Sequence, residues 1–249
     1  MPRFNKKSSR RPRSRKAPKV SNNIKNYVSR AISRNTENKR ITETLTYTNF
    51  NNVLSGSGDI LTLLPQISQG DASYQRQGTK IRIKKMVIRG VLNWTGSATA
   101  GLQRVGVRQM IVKSKRFPNS MIQSNSTELN YLLEASGGSY QSFAGTNFDS
   151  LFQPINRKAW AVARDKKHYM YAQSTAQSTD DMSHSSKFFT IDLKQARNKI
   201  INYEFESGTV TNWGWYMLLG FQDLLGGAVA NTNTNLSMNY TVDIIYEDA

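Results

Sequence analysis

The chain has 249 residues, no cysteine and a formal net charge of +17. Without thiols there can be no disulfides or thiolate-bound metal, and the length suits one domain with a sizeable core plus a tail. Residues 1–40 carry fourteen Lys or Arg against a single acid, Glu37, a net +13, whereas residues 41–249 sum to only +4. The chain therefore divides into a cationic segment that calls for a polyanion and a nearly neutral body with a separate job.

Residues 1–20, MPRFNKKSSRRPRSRKAPKV, hold nine cations and no acid. The cations are Arg3, Lys6, Lys7, Arg10, Arg11, Arg13, Arg15, Lys16 and Lys19. Pro2, Pro12 and Pro18 break helix, and too few apolar side chains are present to offset the entropy of ordering, so a disordered arm is expected. On single-stranded nucleic acid the same segment gains free energy by releasing condensed counterions, and each Arg can fork onto phosphate oxygens. No residue pattern here reads bases. The cluster KKSSRRPRSRK (6–16) also has the composition of a nuclear-import address, which makes an import receptor a second expected partner. With no apolar core in this segment a secretory signal is not expected, and no later run nears the roughly 18 apolar residues of a membrane span, so no membrane insertion is expected.

Residues 21–40 change character. Ser21 or Asn22 can cap a helix, and Ile24, Tyr27, Val28, Ala31 and Ile32 follow the spacing of one helical face. This predicts a short amphipathic linker helix with Lys25, Arg30 and Arg34 on its other sides, turned toward nucleic acid.

From Ile41 the period becomes two, and residues 41–249 read as one β domain. Strands are predicted at 41–50, at KIRIKKMVIRGVLNW from Lys80 with a bulge near Lys85–Met86, and at 103–113. In 103–113, Val105, Val107, Gln109 and Ile111 share one face, with Arg108, Met110 and Val112 on the other. A long insertion, 114–158, contains a short helix predicted over 127–135 with Thr127 as its cap. Two short strands follow at 159–164 and 168–173, linked through Asp165, Lys166 and Lys167, then strands at 187–193, 213–222 and 237–246. Trp213 and Trp215 are expected to be buried together. Eight antiparallel strands with long, uneven connections and no alternating helices favour an all-β jelly roll of two four-stranded sheets over a barrel or a parallel α/β sheet.

Catalytic chemistry finds little footing. The only histidines are His168 and His184. Asp180 and Asp181 lie near His184 and are weak candidates for a Ca²⁺ site at a subunit contact, where hard oxygen ligands would serve; no other cofactor is expected. Glu204 and Glu206 alternate as a solvated strand pair would, no nucleophile elbow, phosphate loop or zinc motif is present, and no catalytic residue is assigned.

The basic arm, the bridging helix and the segment Arg76-Gln-Gly-Thr-Lys-Ile81, which opens the long strand, together resemble the capsid proteins of small circular single-stranded DNA viruses. They are also similar to the satellite tobacco necrosis virus-like single jelly-roll capsids. The resemblance covers the whole chain in architecture and about fifteen residues in motif. It implies sheets BIDG and CHEF, with strand C opening at Lys80 and the insertion falling between D and E. It further implies a T=1 shell of about 60 copies, a virion location with assembly in the host nucleus, and DNA rather than RNA as cargo. About 60 arms of +13 would bring roughly 780 positive charges inside, the right order for a genome of a few thousand phosphates at most. The alternative from another class is a cellular nucleic-acid-binding β-domain protein with a basic tail, which would stay a monomer or dimer.

Overall fold

A computed structural model describes residues 21–25, 27–28, 38–48, 50–51, 53–94, 104–117, 125–145, 148–171, 185–204, 210–224, 232–233 and 236–249. The chain divides into two units, Met1–Glu37 and Asn38–Ala249. In the first, the described residues from Asn22 to Val28 are helical. Ser21 is the cap: its Oγ accepts the Ile24 N–H at 3.4 Å and its carbonyl accepts the Lys25 N–H at 3.1 Å.

The second unit is an all-β jelly roll of two antiparallel sheets. The strands are β1 Lys39–Tyr47, β2 Leu61–Thr62, β3 Lys80–Trp94, β4 Arg104–Ser114, β5 Trp160–Tyr171, β6 Ser185–Asp192, β7 Ile200–Asn202, β8 Tyr216–Asp223 and β9 Leu236–Asp248. The first sheet runs β1–β9–β3, and β6 and the short β7 share the far edge of β3. The second runs β2–β8–β4–β5. Crossovers between the sheets give the spatial orders BIDG and CHEF, with β1 as B and β9 as I.

That order corrects the expected lettering. The long strand from Lys80 lies between β9 and β6, the place of D rather than C. The place of C belongs to Leu61–Thr62, two residues inside a stretch that reads as loop because its Gly and Pro punctuation hides them. Residues 115–159 therefore join E to F, not D to E.

Strand β3 reads its environment through its bulge. Ile81 and Ile83 face the core, the register slips between Ile245 and Tyr246 of β9, and Met86, Ile88, Leu92 and Trp94 then resume the inward face. Across from them lie Met238, Tyr240, Val242 and Ile244 of β9, and Val107, Ile111, Leu219 and Phe221 of the second sheet. Burial on this scale is the main source of stability.

Two local expectations change. Residues 126–131 form a 3-10 turn rather than a helix to 135, preceded by Asn125 and lacking a side-chain cap. The chain must turn extended at Leu133–Glu134 to pair with Tyr140–Gln141 across a Gly137–Gly138 turn, where both glycines have positive φ. The two short strands around Asp165–Lys166–Lys167 are one strand, β5. As an edge strand it has room for the charges, and Asp165 is matched by Arg108 of β4, with oxygen–nitrogen distances of 2.9 and 2.7 Å. Trp213 and Trp215 do pack on the same core, just before β8 rather than inside a strand, with the Trp213 indole N–H donating to the Trp215 carbonyl at 2.7 Å.

The insertion forms a cap over the second sheet. Leu129, Leu132, Leu133, Phe143, Leu151 and Ile155 pack on Met110 and Val112 of β4 and on Tyr216 and Leu218 of β8. Phe143 lies over Gly220 and Leu151 over Gly106, so close that a Cβ at either glycine would sit 2.6 Å from the side chain above it. Arg108, 1 % exposed, ties the cap down by donating to the Ser150 and Gln153 carbonyls, each at 2.8 Å.

Candidate nucleic-acid interface

The arm cations Arg3 to Lys19 lie outside the described residues, as do Arg30, Arg34, Asp180 and Asp181. Of the predicted contact residues, Lys25 is described, on the capped helix. Among the described residues no group of three or more His, Cys, Asp or Glu could hold a metal ion.

Two of the first forty residues' cations belong to the body instead. Lys39 is 4 % exposed, with its Nζ 2.8 Å from both Asp248 Oδ2 and the Gln75 carbonyl. Arg40 forks onto Asp243 at 2.7 and 2.8 Å. Composition alone could not see these partners, which lie more than 200 residues along the chain. The segment through Glu37 thus carries twelve cations and one acid, a net +11.

On the outer face of the first sheet, β9 supplies two acids that its neighbours β1 and β3 meet with cations. Asp243 of β9 lies between Arg40 of β1 and Arg89 of β3, the latter at 3.5 Å, and accepts from Thr42 Oγ1 at 3.3 Å. The hydrogen bonds from Arg40 hold its carboxyl below the usual range, against the opposing effect of burial. Glu247 of β9 receives Arg82 at 3.0 Å and Lys84 at 2.7 Å. Lys85 projects from the same face, opposite Ile245. Five cations therefore surround these two carboxylates, Asp192 of β6 on the same face is bound by Arg197, and Arg40, Arg82 and Arg89 remain about half or more exposed. Between them the face is paved with hydroxyls and amides: Thr42, Thr44, Thr241, Asn239, Asn93 and Ser186.

The opposite side differs. On the cap, Lys115, Arg116, Glu128, Tyr131, Tyr140 and Lys158 line an open groove of about 430 Å³. Arg116 is bound to Glu128 at 3.0 Å, and the two tyrosine rings are 6.3 Å apart. Toward the other end of β5, Tyr169 and Tyr171 are exposed, and Lys167 sits 5.0 Å over the Phe152 ring.

Arg76, the first residue of the segment that carries the family resemblance, is buried. It donates through Nε to the Ile67 carbonyl at 3.0 Å and lies 4.6 Å over the Tyr203 ring, bracing the entry to β3. His168 is likewise a packing residue of β5. Its Nε2 lies 3.4 Å from Gln109 Oε1, and burial together with Lys166, Arg164 and Lys187 pushes the imidazole down to about 4.

One surface residue escaped the sequence reading. Phe188 is 81 % exposed, while its neighbour Phe189 is 4 % exposed and packed in the core. The signal was available: two adjacent aromatics in a strand of period two cannot both face inward.

No protein-family model matches the chain, and no curated protein matches it significantly. Among the described residues no helix is long and apolar enough to cross a membrane.

Proposed function

We propose that the protein is a viral capsid subunit: its jelly roll tiles into a small icosahedral shell, and its basic N-terminal segment condenses single-stranded genome inside. The observation that carries this reading is a jelly roll whose strand β1 is preceded directly by a segment of net +11. Such a segment supplies nonspecific, salt-sensitive affinity for phosphate, and a closed container of many copies is what concentrates it. A shell of about 60 copies would carry on the order of 660 arm charges, enough to neutralise a large part of a small genome. Single-stranded DNA is the favoured cargo on the resemblance at Arg76–Ile81, and the Lys/Arg cluster at 6–16 fits import into a host nucleus before assembly.

The rival, a cellular nucleic-acid-binding β domain, parts from this reading on size. Purified full-length protein mixed with single-stranded DNA is expected to sediment as particles of tens of copies. Deleting residues 1–20 is expected to leave the body folded while nucleic-acid content collapses. A monomer or dimer at every salt concentration, with or without DNA, overturns the reading, and so do shells of the truncation that hold as much genome as the full chain. For the full chain, the logarithm of affinity should fall by about 0.7 per phosphate contact against the logarithm of salt, and the truncation should flatten that slope.

A further inference from the structure

We infer that the outer face of the first sheet is a second nucleic-acid surface, on which Phe188 stacks a base while Arg89 and its neighbours take the phosphates. The inference rests on the function proposed above and adds where the cargo touches the shell.

Phe188 is the starting point. It faces Val91 in the register, between the pairs Arg89–Thr190 and Asn93–Ser186. With 81 % exposure it is the most exposed of the large apolar side chains described. Its flanking pairs are polar: Ser186 Oγ donates to Asn93 Oδ1 at 2.7 Å, and Arg89, 54 % exposed, lies 3.5 Å from Asp243. A ring that awaits a protein partner normally sits among other apolar groups, as Tyr131 and Tyr140 do on the opposite side, both exposed with their rings 6.3 Å apart. A ring with Val91 opposite it and guanidinium, hydroxyl and amide groups on the flanking pairs matches a nucleotide instead. The flat base covers the phenyl, the guanidinium meets the phosphate, and the hydroxyls meet sugar and base edges without selecting a sequence.

Charge and connectivity agree. Cations outnumber carboxylates on the face: Arg40, Arg82, Lys84, Lys85 and Arg89 surround Asp243 and Glu247, and the third carboxylate, Asp192 of β6, is paired with Arg197, so an excess of positive charge is left for a polyanion. The basic segment joins the body at Lys39–Arg40, on β1, which is three strand spacings or about 14 Å from β6.

The test is photo-crosslinking of the full chain to oligo(dT) carrying bromodeoxyuridine, with adducts mapped by mass spectrometry. Adducts are expected on the basic N-terminal segment and on Phe188. F188A should remove the second set, leave the first, and weaken binding of a short oligonucleotide about tenfold at salt high enough to suppress the arm. F188W should retain binding and report it by fluorescence quenching. Adducts on the arm with none on β3 or β6 overturn this inference alone; absence of adducts anywhere sinks the functional reading with it. If F188A leaves oligonucleotide affinity unchanged but alters the sedimentation of nucleic-acid-free assemblies, the ring is a contact between subunits and the inference is wrong.

Discussion

The two outer faces of the sandwich have opposite fates. The middle strands of the second sheet, β4 and β8, are buried on both sides, because the insertion between β4 and β5 closes over them with Phe143, Leu151 and the leucines of 129–133. The first sheet leaves its outer face to solvent and covers it with ion pairs, threonines and a single bare ring. The lesson lies in how each strand's outward positions are spent. In β4 and β8 they are Gly106, Met110, Val112, Leu218 and Gly220, which only a protein lid can satisfy. In β1, β3 and β9 they are Thr42, Arg89, Asp243 and Glu247, which suit water and phosphate.

The contrast is most easily broken at Arg108. R108A leaves the cap without its clamp and strands Asp165 beside an apolar floor, so a loss of about 3–5 kcal/mol is expected in urea unfolding. Limited proteolysis should then cut within 125–155 before it cuts the first sheet; simultaneous cleavage of both would mean that the cap and the sandwich are not separable. Next is G220V. Its side chain would collide with the Phe143 ring, and about 1–3 kcal/mol should be lost, or a Tm drop of about 2–10 °C. An unchanged Tm would show that the lid is loose enough to step aside.

The exposed face is probed by D243N. Asp243 is ionised in the fold below its ordinary range, so its contribution is present above that range and is lost as pH falls through its depressed value. D243N should lower Tm by a few degrees at most, remove that acid-limb loss, and strengthen oligonucleotide binding by releasing Arg40 and Arg89. Weaker binding would mean that the carboxylate positions the arginines rather than competing for them. The smallest effect is expected at His168. Its imidazole stays neutral in the fold down to about pH 4, whereas the unfolded chain protonates near 6.5. Stability is therefore complete above about pH 6.5 and erodes as pH falls through the interval to about 4. H168Q should flatten the stability profile in that window, read by chemical unfolding at a series of pH values.

The jelly-roll class and most strands were legible because alternation survives where one face is buried, as in β9, whose Met238, Tyr240, Val242 and Ile244 face inward as their spacing says. What escaped was long-range. A two-residue strand such as Leu61–Thr62 has no period to read, and its place beside β8 is set by partners far along the chain. The lettering slipped for that reason. The face of β4 carrying Arg108, Met110 and Val112 was grouped correctly, yet nothing local said that a lid would bury its guanidinium. Of the candidate interface, the basic segment was plain from composition, while the pairing of Lys39 and Arg40 to Asp248 and Asp243 required the fold.

Strand β9 lies between β1 and β3, so the first sheet has no middle until residues 236–248 arrive. A nascent polypeptide can close β4 on β5 early, but β1 must wait until β9 has been made for its neighbour. A chain that lacks residues 236–248 is consequently unable to bring Asp243 and Glu247 to their arginine and lysine partners.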